Sequence, residues 1–307
     1  MRTILETYFE QMLCCPLCKD SLELSADTYM CYSCGTRYKK DGGISDFRLF
    51  APEYARSSVQ EEWVKGQKGF EQYADNVALQ DSVEFYKAEI DSVTEIYTKE
   101  FPQFYGTLLD VGGNRGTLRQ FLSSDVKYLV IDPQLNAFDG IESQPGLMQV
   151  YQFLSQPCNF IAGFAEHLPL VSRQFDFVHM RSVIDHFFDP QLAIKEAFRV
   201  LKDDGKLMIG SSAYLPETKE YSIGSKLIKK WKTAKLVYQN EGFNGLMARI
   251  KYRMTSQPDH HMWKWKKEDL IDLVEKSGFV VDKLVQQKPP FEYCFYMLCS
   301  KILKKTS

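Results

Sequence analysis

Within the 307 residues no apolar run is long enough to cross a bilayer, which takes about 20 consecutive apolar residues. The opening stretch, Met1 to Glu10, lacks the apolar core of an export signal. Charge of neither sign dominates: the formal net charge is −2, which supplies no long-range pull toward nucleic acid. A disulfide scaffold is not expected either, because four of the eight cysteines fall in two Cys-x-x-Cys pairs. In a chain without an export signal that spacing points to a metal and to a reducing, cytoplasmic compartment. What remains is an ordinary soluble composition with room for one large α/β domain and an accessory piece.

Cys15-Pro-Leu-Cys18 and Cys31-Tyr-Ser-Cys34-Gly35 each make a tight knuckle presenting two thiolates to one ion, with Gly35 relieving the backbone. Four sulfur ligands suit tetrahedral zinc in a closed, structural site. The twelve residues between the pairs suffice for a hairpin, Ser21 to Leu24 out and Thr28 to Met30 back. Cys14 adjoins Cys15 as a spare ligand, and four free buried cysteines are the bland alternative. Residues 12–50 resemble the small zinc-ribbon family whose stand-alone members activate tRNA and release-factor methyltransferases. The likeness runs through Cys-Pro-x-Cys-x-x-x-Leu, Cys-x-x-Cys-Gly-x-x-Tyr and Asp41-Gly-Gly-Ile44. It implies a folding and docking module, without catalysis.

Thr107 to Thr117 reads as a short buried strand, a bare turn and the opening of a helix at Thr117. Such a turn lets a ligand approach the backbone and the positive end of the next helix. Its glycines, Gly112, Gly113 and Gly116, do not fit the G-x-G-x-x-G spacing of dinucleotide folds. A second strand, Lys127 to Ile131, ends at Asp132-Pro133. An acidic residue there is where such folds hold a ribose diol, the alternative being a plain turn-starting Asp. Strand and helix then alternate through Phe160, Gln174 to Met180, a helix opening at Asp189-Pro190, and Lys206 to Gly210. That order predicts a parallel, doubly wound sheet. Upstream, Val83, Tyr86, Ile90, Val93 and Tyr97 share one stripe of a helix from about Ser82 to Phe101.

Asp110-Val-Gly112-Gly-Asn114-Arg-Gly116 resembles motif I, D/E-x-G-x-G-x-G, of the class I S-adenosylmethionine-dependent methyltransferases. Asn114 replaces the middle glycine and is the non-glycine residue most tolerant of left-handed backbone. Gly163-Phe-Ala165-Glu166-x-Leu-Pro, Phe175-Asp-x-Val178 and Glu196-x-x-Arg199-Val-Leu-Lys-x-x-Gly205 are similar to motifs of the type-11 methyltransferases, in the same order over residues 108–210. The resemblance implies a Rossmann-like seven-stranded α/β sheet and S-adenosylmethionine as methyl donor. It implies that Asp110 positions the methionyl part and that the amides from Gly112, Gly113, Asn114 and Gly116 approach the cofactor. Asp132 would grip the ribose and Phe164 with Ala165 would border the adenine, and Arg181, directly after the fourth strand, is a further cofactor-binding candidate. Phe164 stands where the family has Asp, so the adenine amino group loses its side-chain acceptor; Phe164 either stacks on the ring or stays in the core. The aromatic segment holding Trp63, Phe70, Tyr73, Phe85 and Tyr86 either covers the cofactor or is core.

Methyl transfer is an in-line displacement, and aligning the nucleophile can be worth ~7–11 kcal/mol. For an oxygen or nitrogen nucleophile a general base assists by taking the proton. Asp185 and His186, on the loop after the fourth strand, and His261 are the candidates, each with a purely structural alternative. The expected organisation is a zinc ribbon at 1–50, a helical cap at 51–105, and a methyltransferase core at 106–213 and 261–307. An insertion at 214–260 interrupts the core. Its lysines and arginines, from Lys219 to Arg253, interleave with Ile223, Leu227 and Trp231, giving amphipathic helices with a basic face that suit a lid. Three readings compete for residues 214–258: a solvated face, peripheral contact with a membrane or an anionic or lipid-linked substrate, and RNA contact. The expected acceptor is a small molecule or a lipid- or glycan-linked group. An rRNA or tRNA methyltransferase is the alternative, opposed by the near-neutral charge and the lack of an Asn-Pro-Pro-Tyr-type motif. Asn114 and Phe164 keep open a third reading, a non-catalytic module that binds cofactor or docks a partner.

Overall fold

The structure, a computed structural model, describes residues 3–213, 261–287 and 294–302; the expected basic lid lies outside the described residues. A two-residue strand, β1 (Thr3–Ile4), and one helical turn, α1 (Thr7–Glu10), lead into the cysteine segment. The expected hairpin between the cysteine pairs forms from β2 (Glu23–Ser25) and β3 (Thr28–Met30), and β4 (Arg37–Asp41) and β5 (Ile44–Asp46) make a second. Two helices follow, α2 (Ser58–Gln80) and α3 (Val83–Glu95), the latter running on as a π turn through Glu100. Each starts where a serine hydroxyl accepts an orphan amide, Ser57 from Gln60 and Ser82 from Phe85.

From there strands and helices alternate as β6 (Thr107–Val111), β7 (Lys127–Asp132), α4 (Pro145–Val150), β8 (Cys158–Ala162), β9 (Phe175–Arg181), α5 (Pro190–Val200) and β10 (Leu201–Ser212). The described chain closes with α6 (Lys267–Lys276), β11 (Phe279–Gln286) and β12 (Cys294–Lys301). Seven of these strands lie in the order β11-β12-β10-β9-β6-β7-β8, and β12 runs antiparallel to both neighbours. The rest of that set is parallel. Both faces are covered, so the central strands β6 to β9 are largely apolar and split their residues by parity. Leu109, Leu129, Ile131, Ile161 and Val178 join one core with α5 and α6, while Leu108, Val130, Phe160 and Phe177 join the other with α3 and α4.

The cysteine segment is not a bead on a linker. On the free edge of β8, β1 pairs in parallel with Cys158 and Asn159, and β5 with Ile161 and Ala162. The sheet therefore runs on through β5, β4, β3 and β2. Tyr29, Tyr38 and Phe47 pack into the same core as Leu129 and Leu168. A polar clamp adds to this. Lys19 Nζ reaches Glu196 Oε2 at 2.6 Å and the carbonyls of Pro16 and Leu168, while Glu196 also accepts from Arg199 and from the Leu168 amide.

Burial pushes the Glu196 carboxyl up, but Arg199 and Lys19 outweigh it and leave the group below its ordinary value. Its stabilisation is thus fully present above the unfolded carboxylate range and fades as pH falls through the lowered folded value. Removing one member of a buried pair strands the others. Glu196→Ala should therefore cost about 2–4 kcal/mol at pH 7 in a denaturant or thermal melt, with a smaller loss at pH 4.

Candidate active site

β6, β7 and β9 are adjacent, and the strand order reverses between β6 and β9. At that switch point the crevice beyond the strand ends is the expected ligand site. β6 ends in a turn whose Gly112, Asn114 and Gly116 have φ of 69°, 46° and 69°. A Cβ on Gly112 would sit 2.4 Å from Val183 Cγ1, so bare backbone is required there. Asn114 takes the left-handed conformation, its Oδ1 accepting from the Arg115 amide and its Nδ2 donating to Gln134. The helix expected from Thr117 is a short 3-10 turn, Thr117–Phe121, with no side-chain cap, ended by the extended Leu122. Its dipole is correspondingly slight, and the amides of Gly112, Asn114, Arg115 and Gly116 already donate within the protein, to the Ile131 carbonyl, Asp132, Asn114 Oδ1 and the Gly113 carbonyl.

Above the turn lies a cavity of about 270 Å³. Asp110, Gly112, Gly113, Asn114 and Asp132 at the strand ends line it together with Phe164, Ala165, Arg181 and His186. Trp63, Gln67 and Phe70 of α2 and Glu89, Ile90 and Val93 of α3 also line it. Of the residues expected to hold the cofactor, Gly116 is the one outside the lining. Asp185 and His261 stand outside it too, although His186 belongs to it.

Charge is buried at each strand end. Asp132 is 6% exposed and accepts from the amides of Asn114 (2.9 Å) and Gln134 (2.8 Å). Burial pushes its carboxyl up to about 6 despite those amides. Asp110 lies in register with His179 on the neighbouring strand. His179 Nδ1 is 2.7 Å from one carboxylate oxygen, the Tyr128 hydroxyl donates to the other, and His179 Nε2 meets the Tyr97 hydroxyl at 2.8 Å. Motif reading singled out none of His179, Tyr97 or Tyr128; the available signal was a histidine inside an otherwise apolar strand. The Arg181 Nε is buried without a hydrogen-bond partner among the described residues. Burial opposes its charge, but Tyr97, Tyr296 and Glu89 hold its pKa above the ordinary value.

Residues 84–284 match a family of methyltransferase domains. The chain belongs to that family. It is a class I S-adenosylmethionine-dependent methyltransferase. Demethylmenaquinone methyltransferase of Thermotoga maritima is 24% identical to it over 176 residues, 57% of this chain and 70% of the relative. The uncharacterized methyltransferase YcgJ of Bacillus subtilis is 28% identical over 115 residues, 36% of this chain and 42% of that one. The crystal structure of a SAM-dependent methyltransferase from Aquifex aeolicus has a TM-score of 0.43 at 16% identity, covering 71% of this chain and 97% of its own.

Neither unusual residue of this methyltransferase fills the cavity. Asn114 adopts the glycine conformation, and Phe164 packs among Phe50 (4.8 Å), Trp63 (5.0 Å) and Phe188 (5.8 Å) while presenting to the lining. Glu166, quoted in the motif without a role, proves to be a staple. Its Oε1 accepts from the amides of Phe188 and Asp189 and so pins the loop after β9. On that loop Asp185 and His186 meet His261 from the segment before α6, one ligand-capable atom of each lying within 4.8 Å of the others.

The four knuckle sulfurs also gather within 4.8 Å, with Cys15 and Cys34 3.6 Å apart and Cys18 and Cys31 3.3 Å apart. The knuckles share one hydrogen-bond pattern: Lys19 N to Cys15 O and Cys15 N to Asp20 O, then Gly35 N to Cys31 O and Cys31 N to Thr36 O. In both, the residue after the second cysteine is left-handed, Lys19 at φ 64° and Gly35 at 73°. Cys14 is buried, and burial pushes its thiol up to about 11.

Burial pushes Glu166 up to about 8. A carboxyl raised when folded favours folding in its protonated form, so its contribution declines as pH rises from about 4.5 to about 8. Glu166→Gln keeps the accepting oxygen and removes the charge. It should match the parent at pH 5 and exceed it by on the order of 2–4 kcal/mol at pH 9, read from denaturant melts.

Proposed function

We propose that this methyltransferase methylates a small, largely apolar molecule inside the cavity at the switch point. The observation that carries the reading is the cavity itself, roofed by α2 and α3 and lined by Trp63, Phe70, Ile90, Phe121 and Tyr151. An apolar pocket with a few convergent polar groups suits a small ligand. The relative named demethylmenaquinone methyltransferase and the net charge of −2 support the same reading. No helix of the described residues is long and apolar enough to cross a membrane.

The residues present fit the donor. Asp132 would accept from its ribose hydroxyls, and Arg181, with an orphan Nε, would take its carboxylate. The bare backbone at Gly112 and Gly113 admits close approach, and Phe164 with Ala165 would border the adenine. When bound, S-adenosylmethionine supplies a methyl carbon activated by sulfonium. The chain's own task is to align the acceptor and exclude water. In this reading Asp110, braced by His179 and Tyr128, holds the cavity wall rigid.

The four knuckle cysteines would hold zinc. At Zn–S distances of about 2.3 Å a tetrahedral ion spaces its sulfurs ~3.8 Å apart, near the observed 3.3 and 3.6 Å. The functional units follow: ribbon 1–50, cap 51–105, and a core of 106–213 and 261–307. Metal analysis of the purified chain should find one tightly held zinc, lost in Cys31→Ser.

S-Adenosylhomocysteine binding, followed by calorimetry, tests the donor site. Affinity should drop as pH falls through about 6, where Asp132 gains its proton. Asp132→Ala should weaken binding at pH 8 by ~10–100-fold, the worth of charge-assisted hydrogen bonds of about 1.5–3 kcal/mol, and flatten the pH profile. No heat at any pH would refute the assignment.

A further inference from the structure

We propose that Asp185, His186 and His261 form a divalent transition-metal site at the edge of the donor cavity, and that this ion takes the acceptor as an oxygen nucleophile. The three residues are brought together by specific contacts. The Asp185 carbonyl accepts the amides of Met262 (2.8 Å) and Trp263 (3.1 Å), and Trp263 Nε1 donates to the Phe187 carbonyl at 2.7 Å. Those bonds fasten the segment starting at His261 onto the loop after β9.

The spacing leaves room for an ion between the three side chains. His261 Nε2 lies 3.5 Å from Asp185 Oδ2, His186 Nε2 lies 3.8 Å from Asp185 Oδ1, and the two imidazole centroids are 4.8 Å apart. A tetrahedral ion with ligands at about 2.0–2.2 Å sets them ~3.3–3.6 Å apart. Asp185 Oδ1 is buried and accepts no hydrogen bond among the described residues, a state that a cation would satisfy. Two imidazoles and one carboxylate are a donor set for zinc, cobalt or iron, with positions left open for a further ligand. This contrasts with the four-sulfur site, which has none to spare.

His186 lines the cavity, so the open face of the ion and the donor pocket share a wall. The catalytic part of the proposal rests on the donor reading above; the ion site itself does not. An acceptor phenol or enol bound to the ion loses its proton to water more readily, because the cation lowers the pKa of a bound oxygen. The oxygen lone pair then forms the O–CH3 bond as the C–S bond breaks, and the sulfonium leaves as a neutral thioether.

Cobalt(II) titration of the full chain carrying a single equivalent of zinc, held by the four cysteines, tests the site without turnover. One equivalent should bind with visible d–d absorption and without the near-ultraviolet thiolate band that a cysteine site would give. His261→Ala and Asp185→Asn should each weaken that binding by at least ~10-fold, while S-adenosylhomocysteine calorimetry verifies that the variants still fold. A missing d–d signal, a thiolate band alone, or a signal unchanged in His261→Ala would overturn the ion site. If His261→Ala slows turnover yet cobalt never binds, Asp185 and His261 act as a metal-free base and the proposal fails. Cobalt binding with no S-adenosylhomocysteine binding would keep the site and sink the donor reading.

Discussion

Burying ionisable groups where three neighbouring strands stop is the constraint around which the rest of the molecule is arranged. Asp110, Asp132 and His179 are each under a tenth exposed, and the Arg181 Nε is buried beside them. A lone buried ion costs several kcal/mol even after relaxation, so each needs a fixed answer. Asp132 is answered by two backbone amides and Asp110 by an imidazole and a phenol, while Glu89 supplies the negative charge that faces Arg181. Tyr97 and Glu89 come from the helical roof, and Tyr296 from the antiparallel strand. Through Glu89 of α3 the helical cover is thus tied electrostatically to the strand ends.

Much of this was legible in the sequence wherever the signal was local. The knuckles and the bare turn with a left-handed Asn114 rest on spacing within a few residues, the parallel sheet on the alternation of strand and helix, and its seven strands on the family resemblance. The rest depended on register and on distant partners. Asp110 meets His179 because two strands align at one register, and His261 reaches Asp185 from 76 residues away. Glu166 shows the same limit: its motif position was visible, but the amides that it holds lie on another loop. The expected helix at Thr117 shrank to a 3-10 turn because Leu122 is extended and nothing caps the start.

Lys19 shows how a local rule yields to a distant contact. At the matching place in the other knuckle stands Gly35, the residue for which left-handed backbone is cheap. A glycine at 19 would ease the backbone too, but it could not reach Glu196 or the Leu168 carbonyl. The strained residue is kept where its side chain joins the ribbon to α5 and to the segment carrying Glu166 and Leu168. The Lys19 contacts thus lie a few residues along the chain from Phe164 and Ala165, which line the cavity.

The parallel pairing of β5 with β8 sets a timetable for the nascent chain. Ser45 aligns with Ile161, 116 residues later. At roughly 5–20 residues per second on a ribosome, the earlier strand waits about 6–23 s for its partner to be made. Through that interval its outer row of amides and carbonyls is open to any neighbouring chain. A ribbon already knotted around its own cysteines would keep the waiting edge short and rigid, which lowers the risk of intermolecular mispairing during synthesis.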